Sequence, residues 1–333
     1  MMKNIRILAT AAFVLLCIAG CGNRERYFTT NGMNHTTYQI KYEYTRVLDD
    51  EIKEEFRKYY HSINPFDSLS ILSQVNRNRP VKVDSLFTRI FRTAQAVSEQ
   101  TGGMFDVTCA PLINLWGFGF EKYDSVSPRI VDSIRAFVGY RKVHLRNGTI
   151  VKDDPRILLN FSALGDGSIC DVIAGLLDSK GIENYMIDVG GEVMVRGLNP
   201  QGEGWRIGIV KPVDDASCTN NNLQEVVRLS GRKALATSGD YRNYYMKDGK
   251  KVAHTINPIT GYPAAQDILS ATIIADNCMM ADAYATAFMA LGRREARQLA
   301  KEHPELDYYI IYTDSAGNYR TDVSAGMSKY LLR

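Results

Sequence analysis

The run Asp276-Asn-Cys-Met-Met-Ala-Asp-Ala-Tyr-Ala-Thr-Ala-Phe-Met-Ala-Leu-Gly292 constrains this chain more than any other stretch. Ala, Met and Leu are strong helix formers, Asp276 can cap the start, and Gly292 can close the end. Two polar side chains interrupt an otherwise apolar run. Asp282 and Thr286 are four residues apart, so they share one face, one turn apart. A carboxylate and a hydroxyl are oxygen donors that suit Mg²⁺ better than Zn²⁺. Taken alone, the pair fits better a capping Asp and a Thr bonding back to its own helix. Its meaning depends on the rest of the chain.

At 333 residues, 45% hydrophobic and 23% charged, the chain has the material for one large domain or two intimate subdomains. A formal net charge of +3, with no dense Lys/Arg block, argues against a nucleic-acid partner. No internal period stands out, which excludes repeat architectures.

The N-terminus reads as a targeting segment. Lys3 and Arg6 precede a short apolar run, Ile7 to Ala19, and then Ile18-Ala19-Gly20-Cys21 places small residues before a cysteine. That is the pattern of a bacterial lipoprotein signal, with cleavage before Cys21 and lipid on its thiol; the run is too short to span a bilayer. The expected organisation is a signal peptide at 1–20, a polar tether at 21–34 and a folded domain at 35–333. The mature protein is expected on the periplasm-facing side of the cell envelope, held by its lipid to the inner membrane in preference to the outer. Cys109, Cys170, Cys218 and Cys278 are widely spaced and read as free thiols rather than a disulfide framework or a zinc site.

Along the chain, strands are expected at 37–44, 157–161, 182–189, 193–195, 205–210, 223–229, 234–237 and 269–274, with 308–312 closing the sheet. Helices are expected at 49–61, after Ser70, at 84–100, from Ser127-Pro128, at 168–180 and at 293–302. Asn147-Gly148 and Asp248-Gly249 mark hairpins. The irregular order and hairpin-like joins predict an α+β fold with mixed or antiparallel sheets and packed helices, not a doubly wound parallel sheet. The uncharged, aromatic segment from Gly102 to Gly119, broken only by Asp106, either lines a pocket or fills a core. Gly165-Asp166-Gly167 lies in a turn before a helix, a setting of free backbone N–H groups that favours anions. Gly190-Gly191-Glu192 matches neither GxGxxG nor a P-loop. Thr237-Ser-Gly-Asp-Tyr-Arg242 is dense in hydrogen-bonding groups. His254, at the end of a strand before a Pro/Gly loop, would by itself be a packing or surface histidine.

The order of these motifs is more telling than any one of them. Gly103-Met-Phe-Asp-Val-Thr leads to Pro-Leu-Ile-Asn-Leu-Trp-Gly-Phe-Gly119; Asn160-Phe-Ser-Ala-Leu-Gly-Asp-Gly leads to Asp171. Val189-Gly-Gly-Glu192, Thr237-Ser-Gly-Asp-Tyr-Arg242, His254 with Asn257-Pro-Ile-Thr-Gly-Tyr-Pro263, and Asp282 with Thr286 follow. Together they resemble the ApbE family, the FAD:protein FMN transferases, over residues 35–315. The resemblance implies an ApbE-like fold that binds FAD and Mg²⁺. Such enzymes move the FMN half of FAD onto a Thr or Ser hydroxyl of an acceptor protein, releasing AMP. Typical acceptors belong to membrane redox complexes. By position, Asp282, Thr286 and the carbonyl of Ala163 would hold the metal. Asn34, Phe66, Met104, Phe105, Asp106, Asn160, Asp166 and the backbone near Ile256 would contact FAD. Phe66 stands where the family usually has Tyr, and His254 would handle the acceptor hydroxyl's proton, with Asp282 the second catalytic residue. Three departures stand out: Asp166 where many members have Lys, Ser168 where Tyr is common, and Asn34-His35-Thr36 for the usual Met-Gly-Thr. An FAD pyrophosphatase giving FMN and AMP, or a non-catalytic FAD-binding lipoprotein, are the alternative readings.

Overall fold

The computed structural model describes residues 26–119, 125–212, 223–240, 244–247, 250–264 and 267–332. Alternation of apolar side chains builds its central element. In β2 (Thr36–Tyr44), Tyr38, Ile40 and Tyr42 all point inward. β1 (Arg26–Asn34) pairs with β2 along its whole length. Beyond them come β5 (Tyr185–Val189), β6 (Glu192–Arg196), β9 (Lys233–Gly239), β12 (Ile268–Ala275), β13 (Asp307–Thr313) and β14 (Tyr319–Val323). They form one eight-stranded sheet in the order β1-β2-β5-β6-β9-β12-β13-β14, antiparallel throughout. Three two-stranded ribbons accompany it: β3 (Val143–Arg146) with β4 (Thr149–Lys152), β7 (Trp205–Val210) with β8 (Leu223–Leu229), and β10 (Tyr244–Lys247) with β11 (Lys250–Ala253).

The sheet carries two cores. One gathers α1 (Asp49–Ile63), α3 (Ser85–Gln100), α6 (Gly165–Ser179) and α7 (Cys278–Leu291) around Ile40, Tyr42, Ile187, Met194 and Ala236. The other packs the β7–β8 ribbon over Val193, Val195, Leu235, Ile274, Tyr309 and Ile311. Met194 belongs to the first core and its neighbours Val193 and Val195 to the second, the two-residue period of a sheet buried on both faces. The short helices α2 (Ile71–Asn76), α4 (Ala110–Leu115) and α5 (Pro128–Arg135), and the surface helix α8 (Arg293–Glu302), complete the chain. Ser70, Asp84 and Ser127 cap α2, α3 and α5 with side-chain oxygens, at the starts their sequences mark.

Four expectations change. Residues 26–34, expected in a tether, form β1; Thr29, Thr30 and Asn31 suit a polar edge strand as well as a linker. Residues 157–161 bury Ile157, Leu159 and Phe161, but they form no strand and join no sheet. The Asn76 side chain takes a neighbouring strand's place, accepting from Leu159 N at 2.8 Å and donating to Leu159 O at 2.9 Å. Asn277, not Asp276, caps α7 by accepting from Met280 N at 2.9 Å, while Asp276 pairs with Lys233. Finally, β13 does not close the sheet; the mostly exposed β14 lies outside it. Cys109, Cys170 and Cys278 are buried free thiols. The signal segment, Cys21, Cys218, the loop from Asp214 to Asn222 and the Asp248-Gly249 turn lie outside the described residues.

Candidate active site

Helix α7 is apolar on nearly every face and is buried accordingly, between β9 and β12 on one side and α6 on the other. Gly167 lets α6 meet it backbone to backbone. A Cβ there would fall 2.4 Å from Cys278 O and 2.8 Å from the Asp282 Cβ. The Gly167 N–H donates to Asp282 Oδ2 at 3.0 Å. One turn further along α6, the buried Asp171 carboxylate accepts from Cys278 N and Met279 N, each at 2.9 Å, satisfying two orphan donors at the start of α7. Each helix thus holds a backbone N–H group of the other with a carboxylate. Thr286, one turn beyond Asp282, lies with its Oγ1 3.2 Å from Ser238 Oγ on β9.

These side chains open into a cleft of about 520 Å³, within the range of small-molecule sites. Ala163, Asp282 and Thr286 line it together with Met104, Phe105, Asp106, Asn160, His254, Ile256 and Phe66. The sequence assigned all ten to the site, and the fold brings all ten to one cavity. Phe66 is 68% exposed at the lip. The Gly102–Gly119 segment serves both of its expected purposes. Leu112 is buried in the core, Phe105 and Val107 are buried there and also border the cleft, and Met104, Ile113 and Phe118 face the cleft.

Two predicted residues are placed differently. Asp166 lines an adjoining pocket of about 250 Å³, which shares Phe66, Asn160 and Ser162 with the cleft. Asn34 lines neither cavity; it ends β1, and its carbonyl accepts from Tyr60 Oη at 2.6 Å. The next two residues, His35 and Thr36, reach the side pocket instead. His35 sits at a φ of 60° with its ring parallel to Phe66 at 6.1 Å. Ser168, where Tyr was the commoner residue, meets Tyr59 Oη at 2.5 Å, so a tyrosine from α1 stands at that point. Asp106 is occupied in holding its own loop. Its oxygens accept from Thr108 N, Thr108 Oγ1 and Tyr140 N at 2.6–2.7 Å.

The electrostatics favour a cation. Burial pushes the Asp282 carboxyl up to about 7; Asp166 and Asp171 push in the same direction, against the Gly167 N–H. Burial alone pushes Asp166 up to about 6. Glu192 is raised by burial first, then by Asp282 and Asp166. Such a carboxylate-rich interior is the kind of place where a metal ion, rather than a proton, compensates charge. Among the described residues no three His, Cys, Asp or Glu side chains gather as ligands. Asp282 offers one carboxylate beside the Thr286 hydroxyl and the Ala163 carbonyl, oxygen donors of the kind that would suit Mg²⁺.

His254 stands at the other functional corner. Its Nδ1 lies 3.2 Å from Asp240 Oδ1, which also accepts from Thr255 Oγ1 at 2.7 Å. Phe118 sets its ring edge-on to the imidazole at 6.3 Å. Asp240 is the side chain at this corner that sequence reasoning did not single out. Its only signal was membership of the polar Thr237–Arg242 segment.

A cleft that combines hard oxygen donors, a histidine on a carboxylate and exposed aromatic surface suits a ligand carrying both phosphates and a flat ring. The ApbE family model matches residues 33–310. An FAD:protein FMN transferase from Vibrio cholerae is 34% identical over 312 residues, 90% of this chain and 92% of that protein. One from Escherichia coli K12 is 32% identical over 290 residues, 85% and 79% of the two chains. The solved flavin transferase ApbE from Vibrio cholerae superposes with a TM-score of 0.82 at 30% identity, covering 92% of this chain and 100% of its own. The apo flavinyl transferase ApbE of Pseudomonas stutzeri gives 0.81 at 25% identity, covering 92% and 97%. The chain belongs to the ApbE family, and it is a transferase of α+β fold.

Proposed function

We propose that this protein transfers the FMN moiety of FAD to a Thr or Ser hydroxyl of an acceptor protein, with AMP as the leaving group and Mg²⁺ required. The observation that carries the reading is the placement of Asp282. It is a buried carboxylate held by the Gly167 N–H, one turn from Thr286, in one cleft with Ala163 and His254. Asp282, Thr286 and the Ala163 carbonyl would hold the metal, which when bound neutralises the pyrophosphate that is cleaved. Phe66 offers a face for the isoalloxazine ring, and Met104, Phe105 and Ile256 supply apolar wall. His254 takes the proton of the acceptor hydroxyl as its oxygen bonds to the FMN phosphorus; the P–O bond to AMP breaks. No covalent enzyme intermediate is needed, because alignment and charge neutralisation are the main requirements. The acceptor is a protein of a membrane redox complex, and this enzyme reaches it from a lipid anchor on Cys21, facing the periplasm.

The test is to incubate the protein lacking residues 1–21 with FAD, Mg²⁺ and a candidate acceptor domain, and to weigh the acceptor intact. A gain of one FMN that is absent with Asp282→Ala supports the reading. Free FMN and AMP beside an unmodified acceptor would favour hydrolysis, and FAD recovered intact would leave a binding protein.

A further inference from the structure

We infer that Asp240 is the positioning residue of His254, fixing the tautomer and direction of the imidazole so that Nε2 is the nitrogen able to accept a proton in the cleft. The role of that nitrogen rests on the flavin-transfer reading; the assignment of Asp240 to His254 rests on geometry alone.

His254 follows the last residue of β11 and precedes a loop rich in Pro and Gly, a setting that does not by itself hold a ring in one orientation. Asp240 follows the last residue of β9 and is tied to β12 by its backbone N–H, which donates to Leu269 O at 3.2 Å. Its carboxylate is 13% exposed, against 38% for the His254 side chain. One oxygen, Oδ1, accepts from Thr255 Oγ1 at 2.7 Å and lies 3.2 Å from His254 Nδ1. A carboxylate oxygen only accepts, so its approach to Nδ1 selects the ring form with a hydrogen on that nitrogen. The neutral ring then carries no hydrogen on Nε2, the atom on the opposite side of the imidazole. Thr255 is held in turn, its carbonyl accepting from Ala264 N at 2.8 Å. The arrangement parallels the Asp that orients the histidine of a serine hydrolase. The pair is separated by 14 positions in sequence and is brought together by the β10–β11 ribbon.

The deciding measurement is the ¹⁵N spectrum of the full chain labelled at histidine, above the titration range, with His254 assigned by its loss in His254→Gln. The native protein is expected to show the Nδ1–H tautomer. In Asp240→Ala the signal moves towards the Nε2–H tautomer, whereas Thr255→Val, which removes the other bond to the same oxygen, retains Nδ1–H. In the flavin-transfer assay Asp240→Ala lowers kcat about 100-fold, the lower end of what a positioned base contributes, with KM for FAD within about twofold of native. A native spectrum showing Nε2–H overturns the inference without any variant. So does an Asp240→Ala protein with native tautomer and native kcat. Because the spectrum needs neither FAD nor an acceptor, failure of flavin transfer in the native protein would sink the proposed function and leave this assignment to its own result.

Discussion

Gly167→Ala tests whether the contact between α6 and α7 sets the site. The added methyl would lie 2.4 Å from Cys278 O, and ordinary contact begins at 3.4 Å, so the backbone carbonyl must retreat by about 1.0 Å. Overpacking a tight site costs about 1–3 kcal/mol, and the upper end applies where backbone must move. Alanine's better helix propensity returns about 1 kcal/mol, leaving a net loss of about 2 kcal/mol. Unfolding entropy of about 2.1 cal/mol/K per residue gives about 0.7 kcal/mol/K for 333 residues, so Tm falls by about 3 °C. The site suffers more than the fold. A displacement of about 1 Å between Asp282 and the turn bearing Ala163 is enough to cost about 100-fold in rate. Differential scanning calorimetry and FMN incorporation measured by intact mass give the two numbers from one preparation. Native Tm and native rate together would refute the contact. A lowered Tm with a native rate would show that it packs the helices without setting the chemistry.

In the metal-free protein, stability should decline as pH rises from about 4 to about 7. Asp282 in the unfolded chain loses its proton near 3.8, whereas in the fold it is pushed up to about 7, so the stability present at low pH is lost as pH rises through that value. Mg²⁺ should flatten this decline, because the bound form is the anion; Tm against pH in EDTA and in Mg²⁺ checks both halves. Asp171→Ala leaves the N–H groups of Cys278 and Met279 without their acceptor, and should cost about 1–2 kcal/mol in urea unfolding, with faster amide exchange in the first turn of α7. Phe66→Ala should weaken FAD binding about tenfold, from a stacking contribution of about 1–3 kcal/mol, and leave Tm unchanged because the ring is 68% exposed. Quenching of flavin fluorescence on binding measures it.

What the sequence revealed, and what it hid, follows the range of each interaction. Caps are local, so Ser70, Asp84 and Ser127 announce their helices three residues ahead of the groups they bind. The α7 cap was displaced by one because Asp276 and Asn277 are both good cap residues, and only the spacing to Met280 chooses between them. Residues 157–161 alternate like a strand, but no local pattern reveals that the Asn76 amide takes both backbone groups of Leu159. β1 escaped because its middle, Thr29-Thr30-Asn31-Gly32, is polar, and Tyr27 and Phe28, which pack against the two cores, are adjacent rather than alternating. At the site, Asp282 and Thr286 were legible as a helix pair, while Ala163 entered through the family resemblance, since a backbone carbonyl has no sequence signature. The contacts from Asp171 to Cys278 and from Gly167 to Asp282 span 107 and 115 residues. Such pairings exist only once the sheet has brought α6 beneath α7.

The same helix that makes the site also bears on the proposed metal. α7 is apolar around almost its whole circumference and is buried on all sides, so a carboxylate in its middle is desolvated by the burial that stabilises its neighbours Ala281, Ala283 and Ala285. One backbone N–H from Gly167 opposes that cost, while Asp166 and Asp171 add to it. Burial of a carboxylate is tolerated when the group is neutral or when a cation shares the space. At neutral pH Asp282 stands between these two states, its proton held to about pH 7. A divalent ion that displaces the proton therefore adds to folding stability as well as to charge neutralisation, because binding to the native state alone shifts the unfolding equilibrium. The position of Asp282 costs the apo protein stability that a chain selected for packing alone would keep with Leu or Ala. Replacing Asp282 with Leu should accordingly raise the Tm of the metal-free protein at pH 8 while abolishing the response to Mg²⁺. A lower Tm without metal would mean that the Gly167 bond to the carboxylate outweighs its desolvation, and the site would then be stable without its ion.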